Sequence, residues 1–165
     1  MKLEKNQRGY TLVELIVVVA LMGVLSSVGL LSYSLVTGRN IKSCAAELEG
    51  YIGKTKIQAM SRATATLRIF AAEDGIYVNL STEGQDVRIG KRGLTVTYET
   101  RKGGATQTYT LNTNGSNALT LSFDRSSGSF LPLADGSQCS RITLPDGTRT
   151  MRIILIPETG KYYLE

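Results

Sequence analysis

Residues Leu15–Gly38 contain no charged side chain, and this run of 24 residues constrains the chain more than any other feature. As an α-helix, at about 1.5 Å per residue, it would be roughly 36 Å long, enough to cross the apolar core of a bilayer. A short segment, Met1–Gly9, precedes the run and carries three basic residues against one acidic residue. The positive-inside rule therefore predicts a cytoplasmic N-terminus and an exported C-terminal part.

One carboxylate, Glu14, lies at the start of this apolar region. An ionised carboxylate costs on the order of 2.5–3.5 kcal/mol at the bilayer centre, and a simple membrane anchor would keep it at the interface. Its neighbours form the segment Gly9-Tyr10-Thr11-Leu12-Val13-Glu14-Leu15, directly between the basic leader and the apolar run. This segment resembles the class III signal of type IV pilins and type II secretion pseudopilins.

The resemblance implies a processing site and an assembly site. In that family a prepilin peptidase cuts after the glycine, here Gly9, on the cytoplasmic side and methylates the new N-terminus, here Tyr10. Thr11 and Leu12 follow in the motif, and Glu14 is the fifth residue after the cut. In an assembled filament, Glu14 of an incoming subunit would pair with the Tyr10 α-amine of a neighbour. A buried charge is tolerable only with its counter-charge, so Glu14 is expected to set the axial register.

An ordinary secretory signal is the alternative for this end of the chain. It too has a basic start and an apolar core, and Val24-Leu25-Ser26 would be a weak cleavage site. Against it, Glu14 would lie inside the apolar core, and the apolar run continues beyond that site to Val36. The pilin-like interpretation predicts a leader at 1–9, a transmembrane and filament-core helix at 10–38, and a globular head at 39–165.

Beyond the apolar run the pattern predicts an α+β fold, in which one long N-terminal helix is followed by an antiparallel β-sheet head. The first half of the helix would be membrane-embedded, and its second half would pack on the head. Apolar residues at helical spacing mark the packing face: Ile41, Ala45, Leu48, Ile52, Ala59 and Ala63. Segments rich in β-branched and aromatic residues then predict strands at 64–71, 75–80, 94–100, 107–111, 119–123, 150–156 and 162–164.

Two stretches of the head narrow the resemblance. LTLSFDRSSGSF (119–130) looks like the Phe-x-x-x-x-Gly stretch of the GspH/FimT pseudopilin family, and RIILIPETGKYYL (152–164) looks like that family's closing hairpin. The resemblance implies a minor pilin or pseudopilin without catalysis. Its partners would be prepilin peptidase, other subunits of a filament, and the inner or cytoplasmic membrane. The protein would first be a single-pass membrane protein with its head outside the cytoplasm, and then part of a pilus or pseudopilus.

The composition excludes several other classes of function. The chain has no histidine, which removes serine–histidine, cysteine–histidine and histidine–metal sites. Its acidic residues lack the regular oxygen spacing of a calcium loop, and no Walker-type glycine-rich loop is present. We therefore expect no enzyme activity, no metal and no cofactor.

The two cysteines, Cys44 and Cys139, leave two alternatives open. Both fall in the predicted exported part, where a disulfide can form and would stabilise the head by roughly 4–5 kcal/mol because it closes a long loop. In the other alternative they are two unpaired thiols, with Cys44 as a small core residue. In both cases the sequence places Cys139 in a polar loop.

A basic cluster is the feature that points to a nucleic acid. Five basic residues stand close in sequence around four glycines, and the formal charge of the chain is +5 at pH 7. Some FimT-like pilins bind DNA through basic residues near their C-terminal end, but here that end carries one lysine and a final acid. A solvated basic face is therefore favoured over a DNA-uptake site for Arg88, Lys91, Arg92, Arg101 and Lys102.

Overall fold

A computed structural model describes residues 11–61, 64–145 and 149–165, with side chains described outside 27–39. The predicted leader and Tyr10 lie outside these residues, as do the side chains of much of the predicted membrane segment. The chain divides into two compact units, Met1–Val36 and Thr37–Glu165. Within the described residues, no helix is both long enough and apolar enough to cross a membrane.

One helix, α1, is present in the described part of the chain and spans Leu12–Ser61. In the second unit one face of this helix is removed from water. Five residues of that face expose 2% of their surface or less: Ile41, Ala45, Leu48, Ile52 and Ala59. The predicted packing face is therefore confirmed at these positions, while Ala63 lies outside the described residues.

Nine strands follow the helix in the described residues. Their bounds are β1 Thr66–Ala72, β2 Gly75–Leu80, β3 Asp86–Lys91, β4 Thr97–Lys102, β5 Ala105–Thr110, β6 Leu119–Ser122, β7 Gln138–Pro145, β8 Thr150–Ile156 and β9 Lys161–Leu164. Sheet A has the strand order β3-β2-β1-β6, and sheet B has the order β5-β4-β7-β8-β9. Every pairing is antiparallel. The predicted α+β class is confirmed, and the head holds two sheets.

All seven predicted strands are present, but the sequence pattern misses β3 and β7. In β7 the reason is a bulge opposite β4. Glu99 lies opposite Arg141, and the next residue of β4, Thr100, lies opposite Cys139. Ser140 therefore has no register partner on β4, and the two-residue alternation of buried side chains is broken. The prediction of a polar loop at Cys139 is wrong, because this residue is buried within β7.

Polar contacts join the helix to both sheets around the shared apolar core. The Lys56 ammonium group donates to the carbonyl oxygen of Gly160 at 2.8 Å, in the turn between β8 and β9. Lys54 forms an ion pair with Glu83, which follows β2. The core cluster contains residues of α1 and of both sheets, so the helix and the two sheets of this unit pack around one core.

Gly160 meets two constraints that no other residue type satisfies. Its φ is +61°, and a Cβ atom built at this position would overlap the carbonyl oxygen of Gly128. We expect Gly160→Ala to lower the free energy of unfolding by roughly 3 kcal/mol, because left-handed strain and the overlap act together. Chemical denaturation followed by circular dichroism measures this loss.

Gly84→Ala is the matched control for that variant. Gly84 also has a positive φ, of +66°, but no heavy atom lies within 4 Å of its Cβ position. Only the left-handed strain remains there, and the expected loss is about 1 kcal/mol. Equal losses for the two variants would contradict the close packing of Gly160 on Gly128.

Candidate assembly site at the start of the helix

The start of α1 is closed by reciprocal hydrogen bonds between Thr11 and Glu14. The Thr11 hydroxyl oxygen accepts a hydrogen bond from the Glu14 backbone N–H at 3.3 Å. In return, Glu14 Oε2 accepts from the Thr11 backbone N–H and from the Thr11 hydroxyl, both at 2.9 Å. This is a capping box, which satisfies donors that the first turn of a helix leaves unpaired. Sequence reasoning missed this role of Thr11, although the spacing Thr-x-x-Glu before an apolar run is its signal.

The capping box holds the Glu14 carboxylate through one of its two oxygens. Both bonds from Thr11 reach Oε2, while Oε1 accepts none from the described residues. The side chain is exposed, so Oε1 is oriented and available to a further donor. The predicted donor is the Tyr10 α-amine of a neighbouring subunit, and both Gly9 and Tyr10 lie outside the described residues.

The helix surface that follows the capping box is apolar and uncovered. Leu12, next to the box, exposes 76% of its surface, and Leu25 still exposes 71%. A continuous apolar surface of this kind marks contact with lipid or with another protein. The exposed large apolar residues here are Leu12, Val13, Leu15, Ile16, Val17, Val18, Val19, Leu21, Met22, Val24 and Leu25.

Comparison with known proteins bears on the same segment. The family model of the prokaryotic N-terminal methylation motif matches residues 5–30, which include the predicted cleavage position, the capping box and the start of the apolar surface. The match confirms a type IV pilin-like signal and indicates a precursor of the pilin or pseudopilin type. No curated protein and no solved structure matches the chain.

The two cysteines are free thiols, and both are buried. Cys44 lies against sheet A, with its sulfur 3.1 Å from the position of a Cβ atom built on Gly90. Cys139 belongs to sheet B, and its sulfur lies 3.9 Å from the carbonyl oxygen of Arg141. Of the two alternatives for this pair, the structure has the unpaired thiols, with Cys44 on the helix and Cys139 in β7.

Three of the five residues in the basic cluster lie at the β3 edge of sheet A. Arg88 Nη1 is 3.5 Å from Asp74 Oδ2 and forms an exposed ion pair with it. Lys91 ends β3, and Arg92 follows it and lines a cleft of about 630 Å³ that also contains Glu73. Acidic side chains therefore stand beside Arg88 and within the cleft of Arg92.

The other two basic residues belong to sheet B. Arg101 and Lys102 end β4. The Lys102 ammonium group donates to the carbonyl oxygen of Asp135, and Arg101 lines a second cleft, of about 260 Å³, together with Arg141. The cluster is thus divided between two sheets and two clefts, and a DNA site formed by all five residues stays a prediction. Within residues 11–61, 64–145 and 149–165, no group of three Cys, Asp or Glu side chains could hold a metal ion.

We expect neither thiol to react while the chain is folded. Burial raises the pKa of Cys44 to about 12, with a further contribution from Glu47. Burial also raises the pKa of Cys139 to about 12. Since the thiolate is the nucleophile, iodoacetamide at about pH 8 should leave both cysteines unmodified in the folded chain and label both in denaturant.

Mass spectrometry of peptides from the two samples measures this difference. Protein expressed into an oxidising compartment and purified without reductant is the more stringent sample, because a disulfide could form there. Rapid labelling of either native thiol, or a disulfide between Cys44 and Cys139, would contradict the buried free-thiol arrangement.

Proposed function

We propose that this chain is the precursor of a minor pilin or pseudopilin, a non-enzymatic subunit of a type IV pilus, a competence pilus or a type II secretion system. The observation that supports the proposal is the methylation-motif match at residues 5–30, a range that contains Gly9, Tyr10 and Glu14. Proteins with this signal are generally structural subunits. Residues 119–130 and 152–164 favour the GspH/FimT family as the subgroup.

Processing and membrane insertion come first in this proposal. Prepilin peptidase cuts after Gly9 on the cytoplasmic side and methylates Tyr10. Residues 10–38 then hold the subunit in the membrane, with the head outside the cytoplasm, until the subunit enters a filament. The uncovered apolar surface of α1 supports this sequence of events, because lipid and then neighbouring helices would remove it from water.

Glu14 then acts in assembly, and Thr11 positions it. The capping box holds Oε2 and leaves Oε1 for the Tyr10 α-amine of the preceding subunit. Inside a bundle of apolar helices each of these charges needs the other, because an uncompensated buried charge is strongly unfavourable. The pair therefore selects one axial position of the incoming helix over the others.

Gly9→Val tests the cleavage site. Co-expression of the unchanged chain with a prepilin peptidase should remove nine residues and leave N-methylated Tyr10, because the peptidase reads the glycine before the cut. Gly9→Val should stay full-length, and intact-mass measurement with N-terminal peptide sequencing distinguishes the two.

Gly23→Val is the matched control for cleavage. Gly23 lies in the same apolar segment, and no heavy atom lies within 4 Å of its Cβ position, so this variant should be cut normally. An N-terminus near Ser27 in the unchanged chain would support the ordinary secretory signal and overturn the processing step.

Glu14→Gln tests the assembly step, because it keeps the shape of the side chain and removes its charge. Loss of one partner of a buried pair costs roughly 3–5 kcal/mol, which lowers incorporation into filaments by more than about a hundredfold. The variant should still insert and still be cut after Gly9. Quantitative blotting of sheared filaments against the membrane fraction measures incorporation.

Glu47→Gln controls for the loss of a carboxylate from the same helix. Glu47 is exposed and accepts a hydrogen bond from Ser43 at 3.0 Å, away from the capping box. This variant should enter filaments as the unchanged chain does. Normal incorporation of Glu14→Gln would remove the register role of Glu14 and leave the processing site standing.

A further inference from the structure

The outer edge of β5 presents backbone groups whose direction can be assigned. The Leu111 backbone N–H donates to the carbonyl oxygen of Val96 at 2.9 Å, on the side of β4. Backbone groups alternate in direction along an antiparallel strand. The N–H and C=O groups of Thr106, Thr108 and Thr110 therefore point away from β4, toward the open edge of sheet B.

Asn117 limits the open part of this edge. Its Nδ2 donates to the carbonyl oxygen of Thr110 at 3.1 Å, which independently shows that Thr110 faces outward. The open part is then Thr106–Thr108. Because β5 is the last strand of its sheet and pairs with β4 alone, the outward groups of Thr106 and Thr108 have no partner among the described residues.

The other three sheet edges carry features that discourage pairing with another chain. The edge strand β3 contains Arg88 and Lys91. The β6 edge is covered where the Leu131 N–H donates to the Ser122 carbonyl at 2.9 Å. The edge strand β9 has four residues and begins with Lys161. By contrast, β5 reads ATQTYT, without charge or proline, and is exposed along nearly its whole length. Such uncharged, β-branched edges pair readily with other strands.

We propose that this edge pairs with the same edge of a second copy of the chain, antiparallel and about a two-fold axis at Gln107. Thr106 of each copy then lies opposite Thr108 of the other, and each of these pairs exchanges both of its backbone hydrogen bonds. The occupant is a second copy because the strand is self-complementary. No charges oppose each other, and threonine pairs across strands are favourable. The open part, Thr106–Thr108, has Gln107 at its middle, so a pairing centred on Gln107 uses all of its outward backbone groups.

The charges at the turn between β4 and β5 favour the antiparallel arrangement. Arg101 and Lys102 stand at the end of β4 that leads into β5, and both are exposed. Antiparallel pairing places these basic ends at opposite ends of the contact, whereas parallel pairing would bring them together.

This contact is separate from the helix-mediated assembly proposed above. A two-fold contact closes on itself, so it joins copies in pairs and leaves any head-to-tail repeat to other surfaces. The paired segment has three residues in each copy, far fewer than the roughly 20–30 residues a side of a standard stable interface. We therefore expect a transient pair, which covalent trapping detects.

Gln107→Cys is the trapping variant. At the centre of the pairing the two copies of this position form a non-hydrogen-bonded pair, with Cα atoms about 4.5 Å apart, within the range that a disulfide spans. The native cysteines are buried and add little background. The full-length variant, in membranes and under mild oxidation, should give a disulfide-linked homodimer on a non-reducing gel. The control Thr150→Cys, exposed at the start of the inner strand β8, should stay monomeric.

Two second-site variants test the register in the Gln107→Cys chain. Thr108→Pro removes an outward N–H and leaves the bonds to β4 intact, so the dimer should be lost. Thr108→Lys places a charge on the edge and should have the same effect without a change of backbone. Thr150→Lys, which adds the same charge elsewhere, should keep the dimer, and thermal melting checks that each variant is folded.

Four outcomes would overturn the proposal. They are the absence of a dimer from Gln107→Cys, equal trapping by Thr150→Cys, a dimer that survives both Thr108 variants, and a disulfide from position 107 to a different protein. A dimer that depends on Thr108 and tolerates Thr150→Lys supports it. None of these readouts depends on cleavage after Gly9 or on filament formation, so the proposed function can fail separately.

Discussion

The head of this protein depends on one buried face of α1. Leu48 and Ile52 are fully enclosed, and each large apolar side chain removed from water in this way stabilises the fold by about 1.5–3 kcal/mol. Both sheets contribute to the same core, through side chains such as Ile69 in sheet A and Ile153 in sheet B. The ion pair of Lys54 and the hydrogen bond of Lys56 then fasten the helix to a loop of each sheet. The helix face and both sheets thus contribute to a single apolar core.

The N-terminal part of α1 follows a different physical rule. Its apolar residues are not confined to one face, and every described large side chain from Leu12 to Leu25 is exposed. A helix that is apolar all round is typical of an apolar environment, whereas a single apolar stripe is typical of packing on a soluble core. The capping box at Thr11 and Glu14 suits such an environment, because it satisfies backbone donors where water is scarce. The methylation motif covers this same part of the chain.

Regular patterns explain what the sequence predicted, and irregular ones explain what it missed. The buried face of α1 and the hairpin of β1 and β2 follow clean periods and a short turn, so both could be predicted. The bulge at Ser140 breaks the period of β7. The strand β3 lies at a sheet edge and pairs with β2 alone, so its charged sequence lacks the apolar pattern that predicts a strand. The basic cluster is compact in sequence but divided in space, because the connection between β3 and β4 passes from sheet A to sheet B. Whether the cysteines can pair depends on how the helix that carries Cys44 and the strand that carries Cys139 pack, and sequence separation does not reveal that.

The hydrogen bond between Lys56 and Gly160 joins residues 104 positions apart. Nearby, the hydroxyl oxygen of Tyr162 approaches Gly53 of the helix, so the last strand closes against the part of α1 that precedes every strand. Contacts of such long sequence separation form late in folding, since the chain must first close the loop between them. During synthesis the part of the helix around Gly53 and Lys56 therefore lacks these contacts until β9 is made. Chains that stop before β9 therefore leave this part of the core open to proteases.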